Sequence, residues 1–311
     1  MNEPMAIFES APLVLASRAS QLAMAQARLV QSELAPVTTD ILSLTTKGDR
    51  VLDRSLADAG GKGLFIKELE RAMLAGECDA AIHSMKDMET HFADGTEIAA
   101  VLPREDRRDA LIGGFENLAA LPAGAVVGTA SVRRKALLLH HRPDVTVKLL
   151  RGNVNRRLAA LDAGEYDAII LAVAGLKRLR LDVAYSPLDE DIMPTAAAQG
   201  ALAVQVRCPD SDRSAAVKDA CAALNCSKAE AEVNAERALL GFLDGSCHTP
   251  IAASAHLDDH GTLRLTGMVL NLDGSQSFKD EVTGPAATAS DLGCALGDIL
   301  LSAAGGRSFL A

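Results

Sequence analysis

One eight-residue phrase occurs twice in this chain, as Ala75-Gly76-Glu77-Cys78-Asp79-Ala80-Ala81-Ile82 and as Ala163-Gly164-Glu165-Tyr166-Asp167-Ala168-Ile169-Ile170. Each copy stands where a helical apolar period gives way to a continuous apolar run, a helix stop followed by a buried strand. Good helix-stop chemistry accounts for the glycine and the apolar run. It does not account for the full match, which points to two similar α/β units. Around the first copy, Pro12–Arg18, Asp40–Thr46 and Asp79–His83 read as strands. Gln21–Ala35, with Ser20 as N-cap, and Leu64–Ala75, with Gly76 after its end, read as helices. This alternation predicts a parallel sheet with right-handed crossovers. Lys47–Gly63 is polar and glycine-rich and reads as a long functional loop. Val101–Ala110 is a charged crossover, and the alternating strand Ala201–Arg207 returns to the first sheet.

The pattern changes late in the chain. Arg213–Leu224 reads as a helix, and Ser227–Leu243 as an amphipathic helix with Glu230 as capping-box partner. Ile251–His256, Thr262–Leu270 and Ser277–Thr283 read as antiparallel strands joined at Asp258–Gly261 and Leu272–Gly274. The helix Ala287–Ala304 stops at Gly305-Gly306. This is a small α+β domain.

The 311 residues suffice for two or three domains. Apolar content of 49% and charged content of 23% describe an ordinary folded chain. A net charge of −10 argues against nucleic acid as a partner, and 3% aromatics without Trp argue against base stacking. The six cysteines lack a disulfide rhythm, and Met1–Ser10 resembles neither a secretory signal nor a transit peptide. No apolar run approaches a membrane span. These features predict a cytoplasmic protein with reduced thiols.

Against the acidic balance, basic residues cluster at Arg133-Arg134-Lys135, Arg151, Arg156-Arg157 and Lys177-Arg178, as a pocket for a small anion requires. Gly128-Thr129-Ala130-Ser131-Val132-Arg133-Arg134 follows the strand Ala125–Val127 and opens a helix. Hydroxyls and free N–H groups there form an anion site. The alternative is a capped helix with an exposed basic face, but arginines in a first turn oppose the helix dipole, which favours a bound anion. Leu150-Arg151-Gly152-Asn153-Val154-Asn155-Arg156-Arg157 repeats the design at the next junction. His83-Ser84-Met85-Lys86-Asp87 follows a strand, where ligand residues of open α/β sheets gather; a solvated turn closed by an ion pair is equally compatible with the spacing. Gly60-Gly61-Lys62-Gly63 lacks the full phosphate-loop pattern. Arginine grips carboxylates bidentately, so the inventory suits a polycarboxylate, with Asp87 as the one negative group for a cation formed during reaction. Cys247 lies on a small-residue turn, either a bystander or an attachment point.

His83-Ser-Met-Lys-Asp87, Gly60-Gly-Lys-Gly-Leu-Phe65, Gly128-Thr129 with Ser131-Val-Arg-Arg134, Leu150-Arg-Gly-Asn153 and Gly245-Ser-Cys247 together resemble the porphobilinogen deaminases (hydroxymethylbilane synthases). The resemblance extends from Leu15-Ala-Ser-Arg-Ala-Ser20 to the last helix. It implies two doubly wound, periplasmic-binding-protein-like α/β domains plus a C-terminal α+β domain: residues 1–103 with 201–220, 104–200, and 221–311. It further implies a dipyrromethane cofactor on Cys247, built from porphobilinogen. Four porphobilinogen units condense on it with loss of ammonia, and water releases the tetrapyrrole. In this resemblance Asp87 is the catalytic carboxylate facing the pyrrole nitrogen. Ser84, Lys86, Thr129, Ser131, Arg133, Arg134 and Arg157 hold the cofactor, and Arg18, Ser20, Lys62, Arg151, Arg178 and Gln199 the substrate. No metal is implied, and a monomer suffices.

Ala130, Ser246, Asp58 and Ala198 depart from residues common in the family (Ser, Gly, Lys and Gly, respectively). Cys208, Cys221, Cys226 and Cys294 read as small buried thiols, and His140-His141 as an exposed helix end. Two rivals share some features. A two-lobed anion-binding protein needs no Cys247, and a cysteine acyl-transfer enzyme would need a better partner than the adjacent His248.

Overall fold

The computed structural model describes residues 3–46, 66–245 and 249–310. The long loop Lys47–Gly63, Lys62 and Asp58 within it, and Ser246, Cys247 and His248 lie outside the described residues. By internal contacts the chain forms two units, one from residues 1–51, 60–104 and 201–230, the other from 52–59, 105–200 and 231–311.

In the first unit the helix α1 (Glu3–Ser10) precedes β1 (Leu13–Arg18), α2 (Gln21–Glu33), β2 (Thr39–Leu44), α3 (Lys67–Leu74), β3 (Ala80–Ser84) and β4 (Thr96–Val101). In the second lie β5 (Asp109–Ile112), β6 (Val126–Thr129), α4 (Val132–His141), β7 (Thr146–Leu149), α5 (Val154–Asp162), β8 (Ala168–Ala172), α6 (Val173–Arg178) and β9 (Ser186–Pro187). The chain then returns to the first unit with β10 (Leu202–Arg207) and α7 (Asp212–Ala222). The helix α8 (Ser227–Phe242) leads to β11 (Ile251–Leu257), β12 (Thr262–Leu270), β13 (Ser277–Pro285) and α9 (Ala289–Ala303).

The first sheet has the order β2-β1-β3-β10-β4 and the second β7-β6-β8-β5-β9. The two orders correspond strand for strand through the repeat. Gly76 and Gly164 both take positive φ, +77° and +74°, as a left-handed helix stop requires. The Asp immediately before each strand does the same work in both units. Asp79 Oδ2 accepts from Val14 N at 2.9 Å in β1, and Asp167 Oδ2 accepts from Val126 N at 2.7 Å in β6. Each Asp also donates its own N–H to the carbonyl of that residue. The repeated phrase is therefore a staple between paired parallel strands.

The parallel sheet expected from the alternation holds for three strands in each unit, and each sheet also takes one strand of opposite direction. β1, β2 and β3 run parallel, as do β6, β7 and β8. β10 runs antiparallel between β3 and β4, and β5 antiparallel between β8 and β9. A strand whose chain arrives from the other unit enters without a crossover helix, so nothing forces the parallel direction. Leu13, Leu15, Leu202, Val204 and Val206 are buried in the first core, each contributing roughly 1.5–3 kcal/mol. The sheet β11-β12-β13 is antiparallel throughout and packs on α9.

Two smaller readings also change. Glu230 accepts from Asn225 Nδ2 at 2.7 Å, and the helix starts at Ser227 itself, so Ser227 is not its N-cap. Cys221 is buried, but Cys208 and Cys294 are exposed and Cys226 is intermediate. Those exposed positions fall just past a strand and on the outer side of the last helix, where a small side chain meets no neighbour that requires its burial.

Candidate functional site

In the first unit the candidate residues stand at the carboxyl ends of two paired parallel strands, β1 and β3. Arg18 ends β1, and Ser20 caps α2 by accepting from Ala23 N at 3.3 Å. Ser84 ends β3 and exchanges hydrogen bonds with Gln26 of α2, which donates to Ser84 Oγ at 2.9 Å. A single 3-10 turn, Met85–Asp87, follows. Met85 is buried and its N–H donates to Ala201 O at 3.0 Å, which pins the turn and leaves Lys86 and Asp87 half-buried.

His83, one residue before Ser84, is fully enclosed. Burial, with a smaller contribution from the Arg18 charge, drives its imidazole down to about 4, so it is neutral near pH 7. Its Nε2 and Gln205 Oε1 are both buried without a partner at hydrogen-bonding distance, although the nearby Gln205 side chain offsets part of the burial effect.

In the second unit Thr129 ends β6 and is buried, its Oγ1 accepting from Ser131 N at 3.2 Å. Ser131 caps α4 by accepting from Arg134 N at 3.4 Å. Arg133 and Arg134 do not form an exposed basic face; they are 4% and 6% exposed. Nor is a ligand their nearest anion. Arg133 Nη2 donates to Asp109 Oδ2 at 2.8 Å, and Arg134 donates to Asp109 Oδ1 from Nη2 at 2.7 Å and from Nε at 3.1 Å. Arg133 Nη1 donates to Pro194 O at 2.6 Å, and Arg134 Nη1 to Ile170 O at 3.0 Å. Gln199 completes the cluster, its Nε2 donating to Asp109 Oδ1 at 2.8 Å and to Arg107 O at 2.6 Å.

Asp109 is the residue that sequence reasoning missed. It lies in Val101–Ala110, which reads as a charged crossover, and a parallel β5 would put it at the opposite edge. Because β5 is antiparallel to β8, Asp109 pairs with Ala172 and meets the carboxyl ends of the neighbouring strands. Burial would raise its carboxyl, but the two guanidiniums overcome this and hold it well below the usual carboxylate range. Burial also pulls Arg133 down, and the Asp109 charge opposes that.

The cluster holds two guanidiniums and one carboxylate, a net positive charge in a buried place. Arg133 Nε is buried without a partner. An anionic group fits both facts.

Further along the same edge, Asn153 caps α5 by accepting from Arg156 N at 2.9 Å. Gly152, at φ +109°, turns its carbonyl to accept from Arg157 Nε at 2.8 Å. Arg151 and Arg157 are half-buried. Arg178, in the last turn of α6, donates to Gly200 O at 2.6 Å, and burial lowers it to about 10, still a cation at neutral pH. Ala198 takes φ +59°, a left-handed conformation that glycine enters without a Cβ penalty. Among the described residues no group of His, Cys, Asp or Glu could hold a metal, and no helix is long and apolar enough to cross a membrane.

Comparison with known proteins covers both halves of this inventory. Residues 13–215 match the family model described as "Porphobilinogen deaminase, dipyromethane cofactor binding domain", and residues 230–302 match "Porphobilinogen deaminase, C-terminal domain". The chain is 46% identical over 308 residues to a porphobilinogen deaminase of Chromobacterium violaceum, covering 96% of this chain and 97% of the relative. A porphobilinogen deaminase of Geobacillus kaustophilus is 46% identical over 279 residues, covering 88% and 89%. One of Pelobacter propionicus is 44% identical over 303 residues, covering 96% of each.

Proposed function

The chain belongs to the porphobilinogen deaminase family, and on that premise we infer how its residues divide the work. The enzyme is a transferase that condenses four porphobilinogen molecules head to tail with loss of ammonia, and releases hydroxymethylbilane by hydrolysis. Its dipyrromethane cofactor supplies the pyrrole end on which the chain grows.

The observation that carries the assignment is the buried, net-positive Arg133–Asp109–Arg134 cluster with its unpartnered Arg133 Nε. Acetate and propionate carboxylates are the anions of this chemistry, and a buried guanidinium binds them more strongly than an exposed one. Arg133 and Arg134 take cofactor carboxylates, with hydrogen bonds from Thr129 and Ser131. Arg157, Ser84 and Lys86 hold further cofactor groups. Arg18, Ser20, Lys62, Arg151, Arg178 and Gln199 orient the incoming porphobilinogen.

Asp87 is the catalytic carboxylate. Loss of ammonia leaves positive charge on the pyrrole, which a nearby carboxylate stabilises while helping to move the proton at the leaving amine. The pinned 3-10 turn after β3 suits that task, because a carboxylate held in place pays no reorganisation cost as charge develops.

Cys247 is the attachment thiol, reached from α8 through Asp244 at φ +52° and Gly245. Attachment through that sulfur needs a thiol kept out of disulfides, which fits a reducing, cytoplasmic compartment. The reading also comprises the three domains 1–103 with 201–220, 104–200 and 221–311, a small-molecule substrate, no nucleic-acid partner and a monomer. Intact mass of the purified protein tests it. A two-ring adduct, absent in Cys247→Ser, is expected; an unmodified thiol in active protein overturns the assignment.

A further inference from the structure

The helix α8 buries two carboxylates one turn apart, Glu232 and Glu236, at 2% and 0% exposure. Both meet one guanidinium. Arg107 Nη2 donates to Glu232 Oε2 at 3.0 Å and Nη1 to Glu236 Oε1 at 3.4 Å. Backbone donors add to this: Leu257 N to Glu232 Oε1 at 3.1 Å, Ala255 N to Glu236 Oε1 at 2.7 Å, and Ala198 N to Glu236 Oε2 at 2.6 Å. Burying charge is costly, and an apolar group of similar size often packs at least as stably as a buried ion pair. The carboxylate does something that an apolar side chain cannot: it takes the N–H of Ala198.

Ala198 lies in the left-handed region, which a residue with a Cβ enters only when its surroundings impose it. The next residue, Gln199, is 1% exposed and donates to Asp109 Oδ1 and to Arg107 O. Arg134 Nη2 in turn donates to Gln199 Oε1 at 3.4 Å. Glu236 therefore touches this turn twice, directly at Ala198 and through Arg107, whose side chain donates to Glu236 and whose backbone carbonyl accepts from Gln199. The strut is a closed ring of hydrogen bonds from α8 to the Asp109 cluster.

We propose that Glu236 is a positioning residue for the reaction: by holding Ala198 N–H and Arg107, it sets the turn that aims Gln199 at Asp109 and thereby orients the Arg133–Arg134 pair. A small displacement of groups that orient the reactants lowers turnover more than it lowers affinity. The proposal rests on the family reading above, and the test separates the two.

The test uses the cofactor-loaded enzyme. Intact mass of the wild type comes first, and an unmodified thiol there overturns the family reading itself. With the adduct present, Glu236→Gln is expected to lose at least tenfold in kcat, with KM for porphobilinogen changed less than threefold. Adding Glu236→Gln to Gln199→Ala is expected to cost nothing more, because both act through one turn. A kcat within twofold of wild type accompanied only by a lower Tm makes Glu236 merely structural and overturns the proposal. So do losses that multiply in the double variant. Should Glu236→Gln fail to accumulate, Arg107→Lys, at a side chain 12% exposed, carries the same test. It replaces the fork by a single point charge. A threefold or larger loss in kcat, absent in the Gln199→Ala background, supports the proposal, and wild-type kcat overturns it.

Discussion

Arg133 Nη2 donates to Asp109 Oδ2 at 2.8 Å, with both side chains buried. A residue of the chain itself occupies the anion site that basic residues in a helix first turn announce. One carboxylate does not neutralise two guanidiniums, so Asp109 orients the pair and leaves it positive. Removing one partner of such a buried pair leaves an uncompensated charge, at a cost of about 3–5 kcal/mol. Asp109→Asn is therefore expected to lose about that much in urea unfolding. It should also yield protein with little cofactor adduct by intact mass. Wild-type stability would mean that the cluster is not electrostatically coupled.

Arg133 and Arg157 should respond differently to the same replacement by His. Arg133 is enclosed and paired with Asp109, so Arg133→His is expected to lower both stability and adduct formation. Arg157 is half-buried and bonded to the Gly152 carbonyl. Arg157→His is expected to keep Tm near wild type while impairing adduct formation or elongation. Equal Tm losses in both variants would show that exposure does not separate their roles.

Asp87 stands in a turn held by Met85, so Asp87→Ala is expected to keep the fold, seen as unchanged far-UV circular dichroism and Tm. Turnover should fall about 10²–10⁴-fold, as for removal of a general acid–base group. Near-wild-type kcat would take Asp87 out of the mechanism.

His83 supplies a pH signature. Its folded value is about 4 against 6.5 for an ordinary imidazole, so the unfolded chain binds the proton more readily. The associated stability is fully present above pH 6.5 and is lost as pH falls towards 4, with a slope of at most ~1.4 kcal/mol per pH unit. His83→Gln should flatten ΔG against pH over that window. An unchanged slope would place the linkage elsewhere.

Ala198 carries backbone strain at φ +59°. Ala198→Gly is expected to raise stability by about 1 kcal/mol, the left-handed penalty reduced by the extra flexibility of glycine when unfolded. Chemical denaturation measures it, and a lower midpoint would mean that the flexibility dominates.

Local chemistry explains why so much of the chain could be read in advance. The helix stops at Gly76 and Gly164, the cap at Ser20 and the late antiparallel strands all depend on residues close in sequence. So does the placement of Ser84, Lys86 and Asp87 just beyond β3. Strand direction does not, because β5 and β10 carry no local mark of running antiparallel. That direction brings Asp109 to Arg133 and Arg134, residues more than twenty positions away, and it gives the expected anion site an internal carboxylate in an enclosed cluster.

Glu236 shows the same limit at longer range. In sequence it is one acid on an amphipathic helix, and only the folded chain sets it against Ala198 and Arg107. Side-chain type and short-range spacing thus determined which groups this protein has and on which elements they stand. Tertiary structure decided which charges are buried together, since burial and pairing depend on how distant strands are threaded, and no local pattern encodes that.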